Sequence, residues 1–156
     1  AMIDALNAVS VDEMHVTECV LLPDDAKNSM SVVSASDYVI TFEEKCSTEE
    51  KSKLLGSVMD FMVQKEIVIL KKTKKSEREE NIKPGIMKCE LRGDSIYMLL
   101  STGSEYNLKP ELVMHALYSF SGIEHNQFHY HIHRLETYMD SPKGGIMPLY
   151  QAGTPF

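Results

Sequence analysis

Polar and apolar residues alternate most clearly over residues 37–43, DYVITFE, where Tyr38, Ile40 and Phe42 fall on one side and Val39 and Thr41 on the other. A period of two predicts a strand. The period then changes. Leu54, Leu55, Val58, Met59, Phe61 and Met62 recur at helical spacing, and Ser47 followed by Glu50 is a capping-box signature, so a helix is predicted over 48–64. EIVILKK is apolar on both faces from Ile67 to Leu70, as expected of an internal strand that leaves the core through its lysines. Pro84-Gly85 breaks the chain, after which IMKCEL and SIYMLLS flank Arg92-Gly93-Asp94 as the arms of a hairpin. Pro110 and Glu111 suit the first turn of a helix striped by Leu112, Val113, Ala116, Leu117 and Phe120 and ending near Gly122. FHYHIHRLETYM reads as a final strand. Before all of this, residues 2–9 read as the end of a helix and 13–22 as a strand.

From residue 37 the order is β, α, β, a β-hairpin, α, β. This predicts an α+β fold, a ferredoxin-like sandwich with a mostly antiparallel sheet and both helices on one face. Residues 23–36, with Pro23, Asp24, Asp25 and four serines, mark a boundary. The expected division is therefore residues 1–36, the remnant of a missing N-terminal half plus a linker, and residues 37–156, the ferredoxin-like domain.

Composition bounds this picture without altering it. With 43% apolar and 25% charged residues over 156 positions, the chain can build one ordinary globular core. Its apolar runs fall far short of the roughly 18 to 20 residues that cross a bilayer, and AMIDALNAV lacks the basic start and apolar stretch of a secretory signal, so no membrane association is expected and the cytoplasm is the default compartment. Cys19, Cys46 and Cys89 are odd in number and widely spaced, which suits reduced structural thiols and excludes a CxxxCxxC iron–sulfur loop. No nucleotide cradle, G-x-S-x-G elbow or other nucleophile signature is present, and no cofactor is expected.

Charge is segregated. Residues 69–86 hold six basic and three acidic side chains within a protein of net charge −7. Lys71, Lys72, Lys74, Lys75, Arg78 and Lys83, joined by Lys109 and Arg134, are the candidate surface for RNA or another anion; the structural alternative is a charged hairpin arm guarding a strand edge. His129, His131 and His133 alternate, which on a strand places them about 7 Å apart on one face. Such a strand can contribute to a zinc site, but no carboxylate or cysteine stands at ligand spacing, so no metal is expected and the three histidines are only residual candidates.

Five segments in order, ALNAV, SASDYVITF, KKTKKSEREENIKPGI, YMLLSTGSEYNLKPELVMHAL and IHRLETY, resemble the radical-SAM-linked domain of unknown function. The resemblance spans nearly the whole chain and is to the C-terminal portion of that family. Where the family commonly has an Asp-Ile-Arg-Pro-like segment this chain has Asn81-Ile82-Lys83-Pro84, and its Leu-Arg-Pro helix start appears as Leu108-Lys109-Pro110. The positive charge is kept and the carboxylate is not. The family's N-terminal His-Leu-Asp helix and Gly-Phe-Asn-Pro loop do not appear. The resemblance implies a non-catalytic accessory or substrate-binding domain acting with a radical SAM protein, with RNA modification as the process the basic residues suggest. The alternatives are a metal-dependent enzyme using the histidine strand, or a protein-interaction module whose basic loop grips an acidic partner.

Overall fold

The computed structural model describes residues 2–72 and 77–155, Lys71 and Lys72 by their backbone only. In chain order the elements are α1 (Met2–Val9), β1 (Val20–Leu21), α2 (Ser29–Val32), β2 (Val33–Phe42), α3 (Thr48–Val63), β3 (Val68–Lys72), β4 (Glu77–Asn81), β5 (Ile86–Arg92), β6 (Ser95–Ser101), α4 (Pro110–Phe120), β7 (Tyr130–Asp140), β8 (Ile146–Pro148) and β9 (Thr154–Pro155). Single 3-10 turns lie at Lys83–Gly85 and Leu149–Ala152. The fold is α+β. Its main sheet has the order β5-β6-β2-β7-β8, and every pairing in it is antiparallel. Among the described residues no helix is long and apolar enough to cross a membrane.

The two long helices form where caps and apolar spacing agree. Ser47 Oγ accepts the Glu50 N–H at the start of α3, and Leu54, Val58 and Phe61 at i, i+4 and i+7 are buried. Its last carbonyls are taken up by side chains: Gln64 donates to the Phe61 carbonyl and Lys83 to that of Met62. In α4 Pro110 occupies the first turn, and the helix stops at Gly122, whose φ of 65° favours glycine. There the Ile123 N–H reaches the Tyr118 carbonyl and the Gly122 N–H that of Ser119, the paired bonds of a Schellman ending.

Both helices share one core with one face of the sheet. Leu54, Val58 and Phe61 of α3 and Val113, Met114 and Leu117 of α4 belong to the same buried cluster as Ile40 of β2, Ile96, Met98 and Leu100 of β6, and Tyr130 of β7. Phe61 and Phe120 meet edge to face at 5.7 Å between ring centres.

Three expectations need correction. The apolar run at Ile67–Leu70 does not become an internal strand of the main sheet: β3 pairs with β4 alone, burying Ile67 and Ile69 while Val68 and Leu70 are about half exposed. A two-stranded ribbon has one covered face, so its burial alternates even though its sequence does not. The strand expected over 13–22 is limited to Val20–Leu21, paired with Thr154–Pro155 near the other end of the chain. The sheet also begins before residue 37, because β2 starts at Val33 and Ala35 and Ser36 are fully buried in it.

Candidate functional site

The face of the main sheet turned away from the helices carries the chemistry. Strand alternation sends Asp37, Val39 and Thr41 to that face, opposite Tyr38, Ile40 and Phe42. The register then lays out rows across four strands: Glu90, Tyr97, Val39 and His133 in one, Lys88, Leu99, Asp37 and Glu136 in the next. Thr41 lies opposite His131, and Thr41, His131 and His133 are exposed.

Tyr97 is the centre of this surface. The Arg92 guanidinium lies over its ring with Cζ 3.5 Å from the centroid, and the Lys88 ammonium stands 5.8 Å from the same centroid. Glu90 holds both cations in place, 2.9 Å from Lys88 and 3.2 Å from Arg92. Covered in this way, Tyr97 is 7% exposed, while the Arg92 and Lys88 side chains remain open to solvent.

Beneath it, a β-bulge between Asp37 and Tyr38 shifts the pairing with β7, so that Asp37 stands opposite Glu136 and Tyr38 opposite Arg134. Asp37, 5% exposed, accepts three hydrogen bonds: Tyr97 and Tyr138 hydroxyls both donate to Oδ2 at 3.0 Å, and the Glu136 N–H donates to Oδ1 at 2.9 Å. Burial, with the adjoining Asp37, raises the phenol of Tyr97 and pushes that of Tyr138 up to about 12.

Of the predicted basic surface, Arg78, Lys83, Lys109 and Arg134 have described side chains. Lys74 and Lys75 lie outside the described residues, as do the side chains of Lys71 and Lys72. In the β3–β4 hairpin the backbone of Lys71 pairs with Arg78, whose guanidinium is 3.6 Å from Glu80. Lys83 is engaged in capping α3 rather than presented to solvent as a free cation. Lys109 and Arg134 are brought together: with Tyr38, Asn107, Glu111 and Ile132 they line a cavity of about 450 Å³ beside the start of α4.

The histidine strand also divides. His131 and His133 stay on the open face, whereas His129, in the turn before β7, reaches the helix layer, its Nδ1 2.8 and 3.0 Å from the two Glu50 carboxylate oxygens. Tyr118 of α4 donates to the same carboxylate at 2.9 Å, and the Asn126 amide nitrogen meets His129 Nε2 at 2.9 Å. Cys46, 8% exposed, completes the group. Burial works against the Glu50 carboxylate, but the hydrogen bonds from His129 and Tyr118 outweigh it and hold the acid below its ordinary value. Burial and the neighbouring Glu50 push the Cys46 thiol up to about 11. Neither Cys46 nor Glu50 was legible as a site residue, since Glu50 reads as a capping partner of Ser47 and Cys46 as an isolated thiol. Their i, i+4 spacing at a helix start is the one signal the sequence offered.

Residues 1–110 match the model of a protein family described as an uncharacterized protein conserved in bacteria (DUF2344). No curated protein and no solved structure matches the chain.

Proposed function

The chain belongs to this uncharacterised bacterial family, and from that premise we propose that it is a non-catalytic, substrate-binding domain that holds single-stranded RNA on its open sheet face as the cytoplasmic accessory of a radical SAM enzyme. The architecture is read as ferredoxin-like. In support, α4 links β6 to β7 with β2 between them, and α3, followed by the β3–β4 ribbon, links β2 to β5 with β6 between them, a split β-α-β arrangement interrupted by that ribbon.

The RNA reading is carried by the stack of Arg92 on Tyr97. Single-stranded RNA is recognised by splaying its bases onto aromatic or guanidinium planes on a sheet, with cations and hydrogen-bonding side chains around them. Arg92, the last residue of edge strand β5, offers such a plane over Tyr97, with Lys88 beside the same ring and Thr41, His131 and His133 further across the same face. The net charge of −7 makes nonspecific adsorption of a polyanion unfavourable, so the contacts must come from this local surface. The radical SAM partner rests on the resemblance of the five sequence segments, and no bound metal is required for the RNA reading.

Fluorescence anisotropy with short labelled RNAs tests it. Binding is expected at low salt, with affinity falling on added salt at about −0.7 per phosphate contacted. The double variant Arg92→Ala, Lys88→Ala should weaken binding at least about tenfold, as expected for loss of a stacking contact worth roughly 1–3 kcal/mol. No binding at low salt, or binding indifferent to those changes, would refute the reading and favour a protein-interaction module.

A further inference from the structure

A second site stands apart from the open face. Cys46 closes the loop before α3, Glu50 lies one turn on in that helix, and His129 comes from the turn ahead of β7, 79 residues later. One sulfur, one carboxylate oxygen and one imidazole nitrogen from these residues all lie within 4.8 Å of one another. Among the described residues this is the one group of three or more potential ligands that meets that condition. We propose that Cys46, Glu50 and His129 form a zinc-binding site.

The donor set argues for the ion. All-oxygen cages suit magnesium and calcium, whereas cysteine sulfur, histidine nitrogen and carboxylate oxygen are each ordinary ligands of zinc. Zinc bonds of about 2.0–2.3 Å in a tetrahedron set ligand atoms roughly 3.3–3.7 Å apart. The cluster therefore has to close by no more than about 1 Å, while the 2.8 Å pair of Glu50 and His129 opens slightly to admit the ion. Three protein ligands leave a fourth position for water or a small ligand. Partial exposure of the His129 and Glu50 side chains, 24% and 14%, provides a way in.

The surroundings supply the outer contacts that orient ligands. The Tyr118 hydroxyl donates to Glu50 Oε1, and the Ser47 cap fixes the backbone between Cys46 and Glu50. Binding moves protons in a defined way. The Cys46 thiol releases its proton to solvent, and the imidazole proton passes from Nδ1, which faces Glu50, to Nε2, which faces Asn126. Asn126 then has to present its amide oxygen to Nε2, giving up the hydrogen bond that this oxygen accepts from the Phe128 N–H. Zinc binding thus reorders the turn at 126–128.

The alternative is that the three residues are only a hydrogen-bonded clamp between α3, α4 and β7. Chelator-treated full chain titrated with Co²⁺ and then Zn²⁺ separates the two. The expected result is one Co²⁺ per chain with a thiolate charge-transfer band that Zn²⁺ abolishes. The band should vanish in Cys46→Ser, persist in the double variant Cys19→Ser, Cys89→Ser, and require at least about tenfold more metal in Tyr118→Phe, which removes an outer contact but no ligand. A wild-type chain with no thiolate band, or a band that survives Cys46→Ser, would overturn the site. Should Cys46→Ser fail to fold, the double variant decides, because Cys46 is then the sole cysteine: a band supports the site and its absence refutes it.

Discussion

Replacing Asp37 with alanine should destabilise the protein by about 3–4 kcal/mol. The carboxylate is 5% exposed and receives two phenolic hydroxyls and one backbone N–H at 2.9–3.0 Å. Hydrogen bonds to a charged group contribute roughly 1.5–3 kcal/mol each, and orphaning a buried donor costs about 1–3 kcal/mol. Simple addition overshoots, because the three share one acceptor and because Tyr138 and Glu136 are half-buried, so that water replaces part of what they lose. Tyr97, 7% exposed, has no such recourse. Asp37→Asn keeps an acceptor for the Glu136 N–H and lets the hydroxyls reorient, so it should cost roughly half as much. The protein has no tryptophan, so urea unfolding is best followed by far-ultraviolet circular dichroism. Alkaline titration gives an independent readout. The Tyr138 phenol, held at about 12 by burial and by Asp37, should ionise nearer its ordinary 10 in the alanine variant. Because its folded value is raised, the stability it contributes is complete below about pH 10 and is lost as pH rises through 12. A cost for Asp37→Ala below about 1 kcal/mol, or equal costs for alanine and asparagine, would refute the idea that this carboxylate anchors the bulge.

Two further outcomes follow from the cluster at the start of α3. Glu50 is held below its ordinary value of 4.5, so its contribution to stability is present above that pH and is lost as pH falls through the folded value; Glu50→Gln should flatten the acid limb of an unfolding-versus-pH profile, and an unchanged limb would count against the hydrogen bonds from His129 and Tyr118. In alkylation followed by mass spectrometry near pH 8, Cys19, half-exposed, should be modified before Cys46 and Cys89, whose thiols burial pushes up to about 11 and about 12; early labelling of Cys46 would contradict the packing around it.

What could be read directly from the chain was what local periodicity and local chemistry specify. The helix expected over 48–64 is α3, with Ser47 as its cap, and the hairpin around Arg92-Gly93-Asp94 turns at Gly93 with a φ of 62°. In both cases the signal and its cause lie within a few residues of each other. Wherever burial depends on a distant partner, the pattern misled or was silent. Ile67–Leu70 looks like an internal strand because four apolar residues stand in a row, yet among the described residues β3 pairs with β4 alone, and Ile67 and Ile69 are buried while Val68 and Leu70 stay about half exposed. The alternation of His129, His131 and His133 predicted one shared face, but the turn before β7 diverts His129 to Glu50, leaving the other two on the open sheet. Whether Cys46, Glu50 and His129 meet was decided by the docking of α3 and α4 on one side of the sheet and by the path of the turn into β7. Side-chain chemistry is encoded residue by residue, but proximity between residues tens of positions apart is a property of the packed chain, set by where the buried faces of helices and strands come together.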